Sequence, residues 1–395
     1  MYDALVAGHL CVDIIPVIDT ETAHSAMFMA PGRLTEVGEA IFSTGGAVSN
    51  TGQALFKLGL NVRLAARVGD DAIAGLIRTI LGRYNPEFSA MPGVGRGEPS
   101  SYTLVIAPPG IDRTFLHCPG TNTTFGSEDI DDAVLAQTRL FHLGYPPLLR
   151  RMYADNGLEL AGIFKRARAQ GTTTSLDMSL PDPTKPSGQA DWPLICQRVL
   201  PWVDLFLPSI EELLFMLSRA RYMELVASVG QAGMIDALST AEITGLADQA
   251  LSLGTQMIVL KLGHRGLYVR SAPSLRYMGR AAPHSLAAWQ GRELWAPCFK
   301  AQVVSTAGSG DSTIAGFLAG MIKGQTISAA ITSAVAVGAC NVEAMDTISG
   351  VRSWEETQAR IHAGWAKLET HSPGAAWRWD EAAQLWYGPQ DKETI

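Results

Sequence analysis

The sequence of 395 residues predicts an α/β protein in which helices cover both faces of a mostly parallel sheet, with a small β lid beside it. Two observations favour this fold. From Leu140 onward, short apolar runs alternate with helical runs, as in a three-layer α/β/α architecture. Before that point, two strand-like runs flank a turn and indicate a hairpin. Hydrophobic residues make up 47% of the chain and charged residues 17%, so a large core can be buried.

The N-terminal part predicts two strands, each followed by a helix. Leu5–Gly8 is an apolar run typical of a buried strand. Gly45 and Gly46 open a helix that runs through Leu58. The next strand is predicted at Val62–Val68 and the next helix at Ala72–Leu81.

The segments between these elements predict the lid. The chain is irregular from Pro16 to Phe42, and the strand-like runs Tyr102–Ala107 and Thr114–His117 flank the sequence Pro-Pro-Gly-Ile-Asp. Pro and Gly at such a position indicate a hairpin turn. We expect the segments 14–44 and 98–120 to form a small β-sheet lid inserted into a domain that spans residues 1–365.

The remaining chain supplies the strand–helix alternation. Strands are predicted at Leu140–Leu143, Thr173–Leu176, Val203–Leu207, Met257–Leu260, Leu267–Val269 and Ala301–Val304. Helices are predicted at Leu158–Ala169, Ile210–Leu217, Ala241–Leu253, Ser312–Ile322 and Ile327–Ala344. Ser218–Thr244 is a weakly patterned insertion, and the Trp-rich residues 366–395 are expected to dock on the domain as a C-terminal appendage.

Charge and cysteine content argue against several classes of protein. The net charge is −7 and the 31 Lys and Arg residues form no basic run, so we expect no nucleic-acid partner. The five cysteines show no metal-ligand spacing and predict reduced thiols in a cytoplasmic protein. The charge-free run from Gly324 to Val342 is rich in Ala, Ser, Thr and Gly, which favours a buried helix and no membrane partner.

The strongest local motif is Ser305-Thr306-Ala307-Gly308-Ser309-Gly310-Asp311, between a predicted strand and a predicted helix. Small residues let the backbone turn sharply with its amides outward, and the helix adds its positive N-terminal end, so the turn could cradle an anion. Asp311 would face that anion, where a base for an attacking hydroxyl is needed. Taken alone, the motif is equally consistent with a tight connection in which Asp311 only caps the helix.

Three weaker motifs lie elsewhere in the chain. Gly45 and Gly46 would let a ligand approach the backbone, and the amide of Asn50 could bond two ligand hydroxyls, although an ordinary helix start explains them equally well. The turn from Lys261 to Gly266 by itself favours a plain hairpin. Asp13 follows the first strand at the edge where open α/β sheets bind ligands, yet a lone Asp there is more often a turn former.

In this order, the motifs resemble those of the ribokinase-like carbohydrate kinases, the PfkB family, over residues 3 to 352. The resemblance implies the ribokinase-like fold and an ATP-dependent phosphotransferase that acts on a hydroxyl, by our interpretation a hydroxymethyl, of a sugar or sugar-like molecule. It also implies Mg²⁺ bound with the nucleotide and a lid whose closure excludes water.

The resemblance also assigns roles to positions of this chain. The catalytic positions are Asp311 as the base and Gly308, Ser309 and Gly310, whose amides and that of Ala307 would form an anion hole. The substrate-binding positions are Asp13, Gly45, Gly46 and Asn50. The nucleotide-binding positions are Lys261, Gly263, Gly266, Ser209 and Ala307. Glu212 would contact the metal through water.

The chain departs from the family pattern at three places. Ser305 stands where several members have an Asp that helps build a monovalent-cation site, so the resemblance does not carry that cation over. Ser209 replaces the Asn of an Asn-x-x-Glu motif whose Glu212 is kept, and only Asp177 is kept of an Asp-x-Asn-x-Arg segment. These departures predict altered handling of the metal and of the phosphate donor.

Two alternatives stay open. A nucleoside kinase of the same fold would hold a ribose with the same contacts and stack the base on an aromatic lid residue, for which Phe28, Phe115 and His117 are available. A non-catalytic ligand-binding member is suggested by the departures at residues 179, 209 and 305, whereas retention of Asp311 argues against it. The exposed edge of the lid sheet also suggests a homodimer.

Overall fold

Apolar strands from both halves of the chain assemble into one central sheet. A computed structural model of the protein describes residues 1–25, 28–110, 114–369 and 372–392. The strands in these ranges are β1 (Tyr2–Gly8), β2 (Cys11–Pro16), β3 (Ala40–Gly45), β4 (Val62–Ala65), β5 (Arg67–Val68), β6 (Gly93–Val94), β7 (Tyr102–Ile106), β8 (Thr114–Cys118), β9 (Thr138–Gly144), β10 (Thr173–Leu176), β11 (Leu205–Phe206), β12 (Met257–Lys261), β13 (Leu267–Ser271), β14 (Glu293–Ala296), β15 (Arg378–Asp380) and β16 (Leu385–Tyr387).

Helices follow most strands of the central sheet. In the same ranges they are α1 (Thr20–His24), α2 (Ala47–Lys57), α3 (Ala72–Tyr84), α4 (Asp132–Ala136), α5 (Arg150–Tyr153), α6 (Leu158–Ala169), α7 (Pro186–Gln189), α8 (Trp192–Val199), α9 (Ile210–Leu217), α10 (Arg219–Ala237), α11 (Thr240–Ser252), α12 (Leu286–Trp289), α13 (Ser309–Ile322), α14 (Ile327–Asn341) and α15 (Trp354–His362). No helix among the described residues is long and apolar enough to cross a membrane.

The central sheet has ten strands in the order β15-β16-β14-β13-β12-β11-β10-β9-β1-β4. The six strands from β4 to β12 pair in parallel, and those from β12 to β15 pair antiparallel. Alternate residues of β1 point to opposite faces, so Ala4 and Val6 pack with α2, α13 and α14, whereas Leu5 and Ala7 pack with α6, α8 and α9. The predicted three-layer fold with a mostly parallel sheet is therefore confirmed.

A separate four-stranded sheet, in the order β3-β2-β7-β8, forms the lid. The predicted hairpin is present as β7 and β8, which pair antiparallel from Tyr102–Cys118 to Ile106–Thr114. Its turn includes residues 111–113, which lie outside the described residues. Asp13 does not follow β1 directly, as the sequence suggested, but lies within lid strand β2.

Several element boundaries differ from the predictions. Residues 301–304 form no strand, because the amide of Val304 donates to the carbonyl of Val342 instead of pairing with the sheet. Helix α13 begins at Ser309, three residues before the predicted start. The weakly patterned insertion contains the long helix α10, with Gly230 at a φ of 72°. The C-terminal residues 378–387 extend the central sheet as β15 and β16.

Candidate active site

The glycine-rich turn lies between residues 305 and 311 and leads into α13. Gly308 has a φ of 71°, and a Cβ atom there would collide with the carbonyl oxygen and side chain of Thr347. The turn therefore depends on glycine at this position. Asp311 is the third residue of α13 and is only 3% exposed.

Three side chains donate hydrogen bonds to the Asp311 carboxylate. Asn50 Nδ2 donates to Oδ2 at 3.0 Å and Thr51 Oγ1 to Oδ1 at 3.2 Å, both from α2. The Tyr145 hydroxyl, just after β9, donates to Oδ2 at 2.8 Å. Burial and then the charge of Asp311 raise the pKa of Tyr145, so the phenol stays a donor. A carboxylate has about four acceptor sites, so one site on Oδ1 remains for a further donor.

The amides of the turn are not equivalent. The amide of Ala307 donates to Ser305 Oγ at 3.2 Å, and that of Ser309 donates to the carbonyl of Thr306 at 3.3 Å. Within the described ranges, no acceptor is paired with the amides of Gly308 and Gly310. Two of the four amides expected to form the anion hole are therefore already engaged, and the cradle consists of Gly308, Gly310 and the N-terminal end of α13.

Lys261 brings a positive charge to this cradle from the end of β12. A Cβ atom on Gly310 would lie 3.9 Å from the Lys261 ammonium, which places the two groups side by side. The ammonium pairs with Asp177 Oδ1 at 2.5 Å. Burial lowers the pKa of Lys261, but the carboxylates of Asp177, Glu212 and Asp311 outweigh it and raise that pKa, so Lys261 is a cation.

Two further carboxylates lie across Lys261 from Asp311. Burial raises the pKa of Asp177 and of Glu212 more than Lys261 lowers either. Asp177 Oδ2 is buried without a partner in the described structure. Glu212 accepts the Ser209 amide at 2.6 Å, and Ser209 Oγ accepts the Glu212 amide at 3.2 Å, so this pair caps α9.

The two carboxylates fit a magnesium ion bound with phosphates, because Mg²⁺ prefers oxygen ligands and few protein groups. The unpartnered oxygen of Asp177 is the observation that supports this fit. Across the described part of the chain, no three His, Cys, Asp or Glu side chains converge in a way that could hold a metal ion by themselves.

Polar groups without partners gather on the lid side of Asp311. Asp13 Oδ1, on β2, accepts a hydrogen bond from the Cys11 thiol at 3.5 Å. Burial raises the pKa of the Asp13 carboxyl. Gly46 has a φ of 92° and faces His9, with which a Cβ atom would collide. The ring nitrogens of His9 and the Oδ1 of Asn50 are buried without partners in the described ranges. Buried polar atoms normally find partners, which marks this region as a ligand site.

The side chain of Asn50 contacts the candidate base directly. One N–H of its amide nitrogen donates to Asp311, so the second N–H and the unpartnered carbonyl oxygen remain for a ligand. Its clearest function in the structure is to orient the carboxylate.

Three cavities meet at the glycine-rich turn. The turn cavity, of about 340 Å³, is mainly apolar and is bordered by Gly263, Gly266, Phe299, Val335 and Gly310. The lid cavity, of about 380 Å³, lies beneath β2, β3, β7 and β8 and reaches Asp13 and Ala307. The acidic cavity, of about 470 Å³, is bordered by Tyr145, Ser209, Glu212, Lys261 and Asp311. Ala307 thus faces the lid cavity, not the turn cavity that borders the other predicted nucleotide contacts Gly263 and Gly266.

The residues that sequence reasoning missed are His9, Thr51 and Tyr145. His9 and Tyr145 directly follow β1 and β9, two neighbouring parallel strands whose carboxyl ends meet at the ligand-binding edge. Because ligands bind at this edge of such sheets, the positions of His9 and Tyr145 after predicted strands could have identified both residues. Thr51 has no such signal, because it lies within a helix and its partner is 260 residues away.

The sequence resembles known proteins over most of its length. It matches the family described as pfkB family carbohydrate kinase over residues 3–354. It is also similar to an uncharacterized sugar kinase of Archaeoglobus fulgidus, with 23% identity over 272 residues, 69% of this chain and 87% of that protein.

Solved structures share the fold. The ribokinase of Arabidopsis thaliana complexed with ribose and ATP superposes with a TM-score of 0.66 and 16% identity, covering 91% of this chain and 98% of that chain. A nucleoside kinase of Methanocaldococcus jannaschii, an archaeal member of the ribokinase family, gives 0.62 and 17%, covering 92% and 99%.

Proposed function

Because the chain belongs to the pfkB family of carbohydrate kinases, we propose that it moves the γ-phosphoryl group of ATP to a hydroxymethyl group of a sugar, with Asp311 as the general base. The observation that carries this proposal is the position of the glycine-rich turn. It borders three cavities at once and ends in a buried carboxylate that retains one free acceptor site. A donor in one cavity and an acceptor in another would therefore meet at this turn, whose last residue, Asp311, borders the acidic cavity.

In the proposed step, the acceptor hydroxyl gives its proton to Asp311 Oδ1 while its oxygen attacks the γ-phosphorus. The bond from that phosphorus to the β-phosphate oxygen breaks, and ADP leaves with its electron pair. The free amides of Gly308 and Gly310, the N-terminus of α13 and the ammonium of Lys261 stabilise the charge on the transferred group.

The acidic cavity is the place where we propose that the metal binds. Glu212, which borders this cavity, would hold Mg²⁺ through water, and Asp177, beside Lys261, would add its unpartnered Oδ2. The metal would neutralise phosphate charge when bound. The Ser305 hydroxyl accepts a hydrogen bond from the Ala307 amide, and we propose no monovalent cation at this position.

The sugar would lie between the lid and α2. Asp13 offers a carboxylate to two hydroxyls, and Asn50 offers its unpartnered Oδ1. The missing side chains of Gly45 and Gly46 leave room for Asp13 and His9 beside this site. The Asp13 carboxylate and the Asn50 Oδ1 are acceptors, which suits a ligand rich in hydroxyl donors.

The test is Asp311→Asn, which keeps the shape of the side chain and removes the base. We expect kcat to fall roughly 10²–10⁴-fold while substrate binding survives, measured by coupled ADP release over pentoses, hexoses, sugar acids and nucleosides. Asp132→Asn, a surface carboxylate on α4, is the control. Near-normal turnover of Asp311→Asn would reject the assignment.

The lid favours a nucleoside as the second candidate acceptor. Its face toward the lid cavity carries the apolar side chains of Ile15, Ile41, Val105 and Phe115 beside the polar Asp13. A nucleoside would place its ribose against Asp13 and its flat base against the apolar side chains. Calorimetric titration with adenosine, and separately with ribose and fructose, distinguishes the two acceptor classes.

We also propose that two copies of the chain pair through their lids. One face of the lid carries Phe42, Ile14, Leu104 and Leu116 in register across all four strands, and within this row Ile14 also packs against the core. Phe42 is 43% exposed and Leu116 is 52% exposed. An apolar row of this kind is typical of a surface that another protein surface covers.

A further inference from the structure

Residues 365–368 lie beyond the span that matches the family and close one side of the turn cavity. They run antiparallel to residues 298–300, with the amide of Lys300 donating to the carbonyl of Ala366 at 2.9 Å and the amide of Leu368 to that of Cys298 at 2.8 Å. The side chain of Leu368 borders the turn cavity together with Gly266 and Phe299.

Aromatic and cationic side chains hold this segment in place. Trp365 stacks on Phe299 with ring centroids 4.5 Å apart, and the guanidinium of Arg360 lies 3.5 Å from the centroid of Trp365. Such stacked contacts keep residues 365–368 in a fixed position relative to the turn cavity.

The hairpin of β15 and β16 adds a second support. Lys367 lies 5.2 Å from the Phe299 ring centroid and donates to the carbonyl of Gln384, between β15 and β16, at 2.7 Å. Burial lowers the pKa of Lys367 to about 8. Because β16 pairs with β14, this hairpin connects residues 365–368 to the central sheet.

Leu368 is a large apolar side chain that stays 39% exposed at the rim of a mainly apolar cavity. A flat heterocycle in this cavity would lie against Phe299, Val335 and Leu368 and cover the exposed part of Leu368. Apolar and aromatic walls with few polar groups are typical of sites for such ring systems.

We propose that Leu368 contacts the base of the nucleotide donor, so that the C-terminal segment sets the affinity for that nucleotide. This inference rests on the proposed function, because it takes the turn cavity as the nucleotide site. It makes Leu368 a determinant of donor binding and gives it no part in phosphoryl transfer.

The test is titration calorimetry of the full chain with ADP. Leu368→Ala removes the apolar contact, and we expect ADP binding to weaken roughly fivefold. Leu368→Met keeps the contact and should bind ADP like the wild type. Leu158→Ala, which removes a leucine that is 59% exposed on α6, is the control for general effects.

The kinetic readout separates the donor from the acceptor. We expect Leu368→Ala to raise KM for ATP and to leave KM for the acceptor and kcat unchanged. Unchanged ADP affinity in Leu368→Ala, with the thermal midpoint of the wild type, would overturn the inference while the proposed kinase function stands. Failure of the wild type to bind ADP would overturn both.

Discussion

Asp311 is held by side chains that are far from it in sequence, and its orientation depends on each of them. Tyr145→Phe removes one donor, the hydroxyl 2.8 Å from Asp311 Oδ2, and keeps the ring. We expect kcat to fall about tenfold, because the base loses a hydrogen bond to a charged group. KM for donor and acceptor should stay within about twofold, since neither substrate loses a contact.

Tyr153→Phe is the matched control, because Tyr153 packs against the core on the α6 side of the sheet. Steady-state kinetics of both variants, with thermal midpoints, check the prediction. An unchanged kcat in Tyr145→Phe at the wild-type midpoint would show that the hydroxyl does not position the base.

Two buried histidines make stability depend on pH. Burial lowers the pKa of His9 and of His142 to about 3, with smaller contributions from His117 and Lys261 respectively. The unfolded chain therefore binds more protons than the native protein between pH 6.5 and 3, and stability falls as the pH falls through that window. Each histidine should lower the free energy of unfolding by about 2 kcal/mol between pH 7 and pH 5.

His142→Gln isolates one of these contributions. The raised pKa values of Asp177 and Glu212 act in the opposite direction, because those carboxyls bind protons more tightly in the native state. The quantity to measure is therefore the loss of unfolding free energy from pH 7 to pH 5, determined by urea unfolding. This loss is compared between the variant and the wild type. We expect the variant to lose about 2 kcal/mol less than the wild type. The exposed His362→Gln should behave like the wild type, and equal pH dependence of all three would refute the prediction.

Among the elements, the C-terminal strands are fixed to the sheet by a buried ion pair. Arg292 Nε lies 3.0 Å from Asp391 Oδ2, and the two side chains are 2% and 0% exposed. The amide of Glu293 on β14 donates to the same carboxylate at 2.8 Å. Asp391→Ala should therefore destabilise the protein by about 3–5 kcal/mol, because it leaves the charge of Arg292 buried without this partner.

Asp248→Ala is the control for this prediction. Asp248 pairs with Arg270 at 3.2 Å but is 46% exposed, so its loss should cost at most about 1 kcal/mol. Equilibrium unfolding in urea measures both. Equal stability of the two variants would mean that Asp391 does not anchor the C-terminal strands.

Element prediction from the sequence succeeded where local periodicity and caps decide the structure and failed where tertiary contacts do. Ser209 and Ser239 are the N-cap residues of α9 and α11, and each belongs to a capping box that the sequence contains. Residues 301–304 look like a strand because Val303 and Val304 are apolar, yet these side chains border cavities and are exposed. The strands β15 and β16 are only three residues each, too short for a periodicity signal.

At the scale of the whole molecule, the sequence could predict only those candidate site residues that lie in short motifs. Gly308, Gly310 and Asp311 occur together, and their proximity needs no tertiary information. The donors to Asp311 could not be predicted in this way, because Tyr145 and Thr51 are separated from it by 166 and 260 residues. Only the packing of α2 and β9 beside α13 brings these side chains to one carboxylate.

The proposed dimer would couple the assembly of the protein to the site, because one face of the lid borders the lid cavity and the other carries the apolar row of Phe42, Ile14, Leu104 and Leu116. Leu116→Glu puts a charge into that row. We expect it to convert the proposed dimer to monomer in sedimentation equilibrium, because burying an unpaired carboxylate in an apolar interface is unfavourable. KM for the acceptor should rise in the same variant, since a lid without its partner covers the cavity less firmly.

Leu34→Glu separates this effect from a general effect of added charge. Leu34 is 98% exposed in the lid segment between α1 and β3 and lies outside the apolar row, so the variant should keep the mass and KM of the wild type. A monomeric wild type at micromolar concentration would refute pairing through the lid. If the Leu116→Glu protein is still a dimer, the interface lies elsewhere on the protein. An unpaired carboxylate is not tolerated at the centre of a closely packed apolar contact.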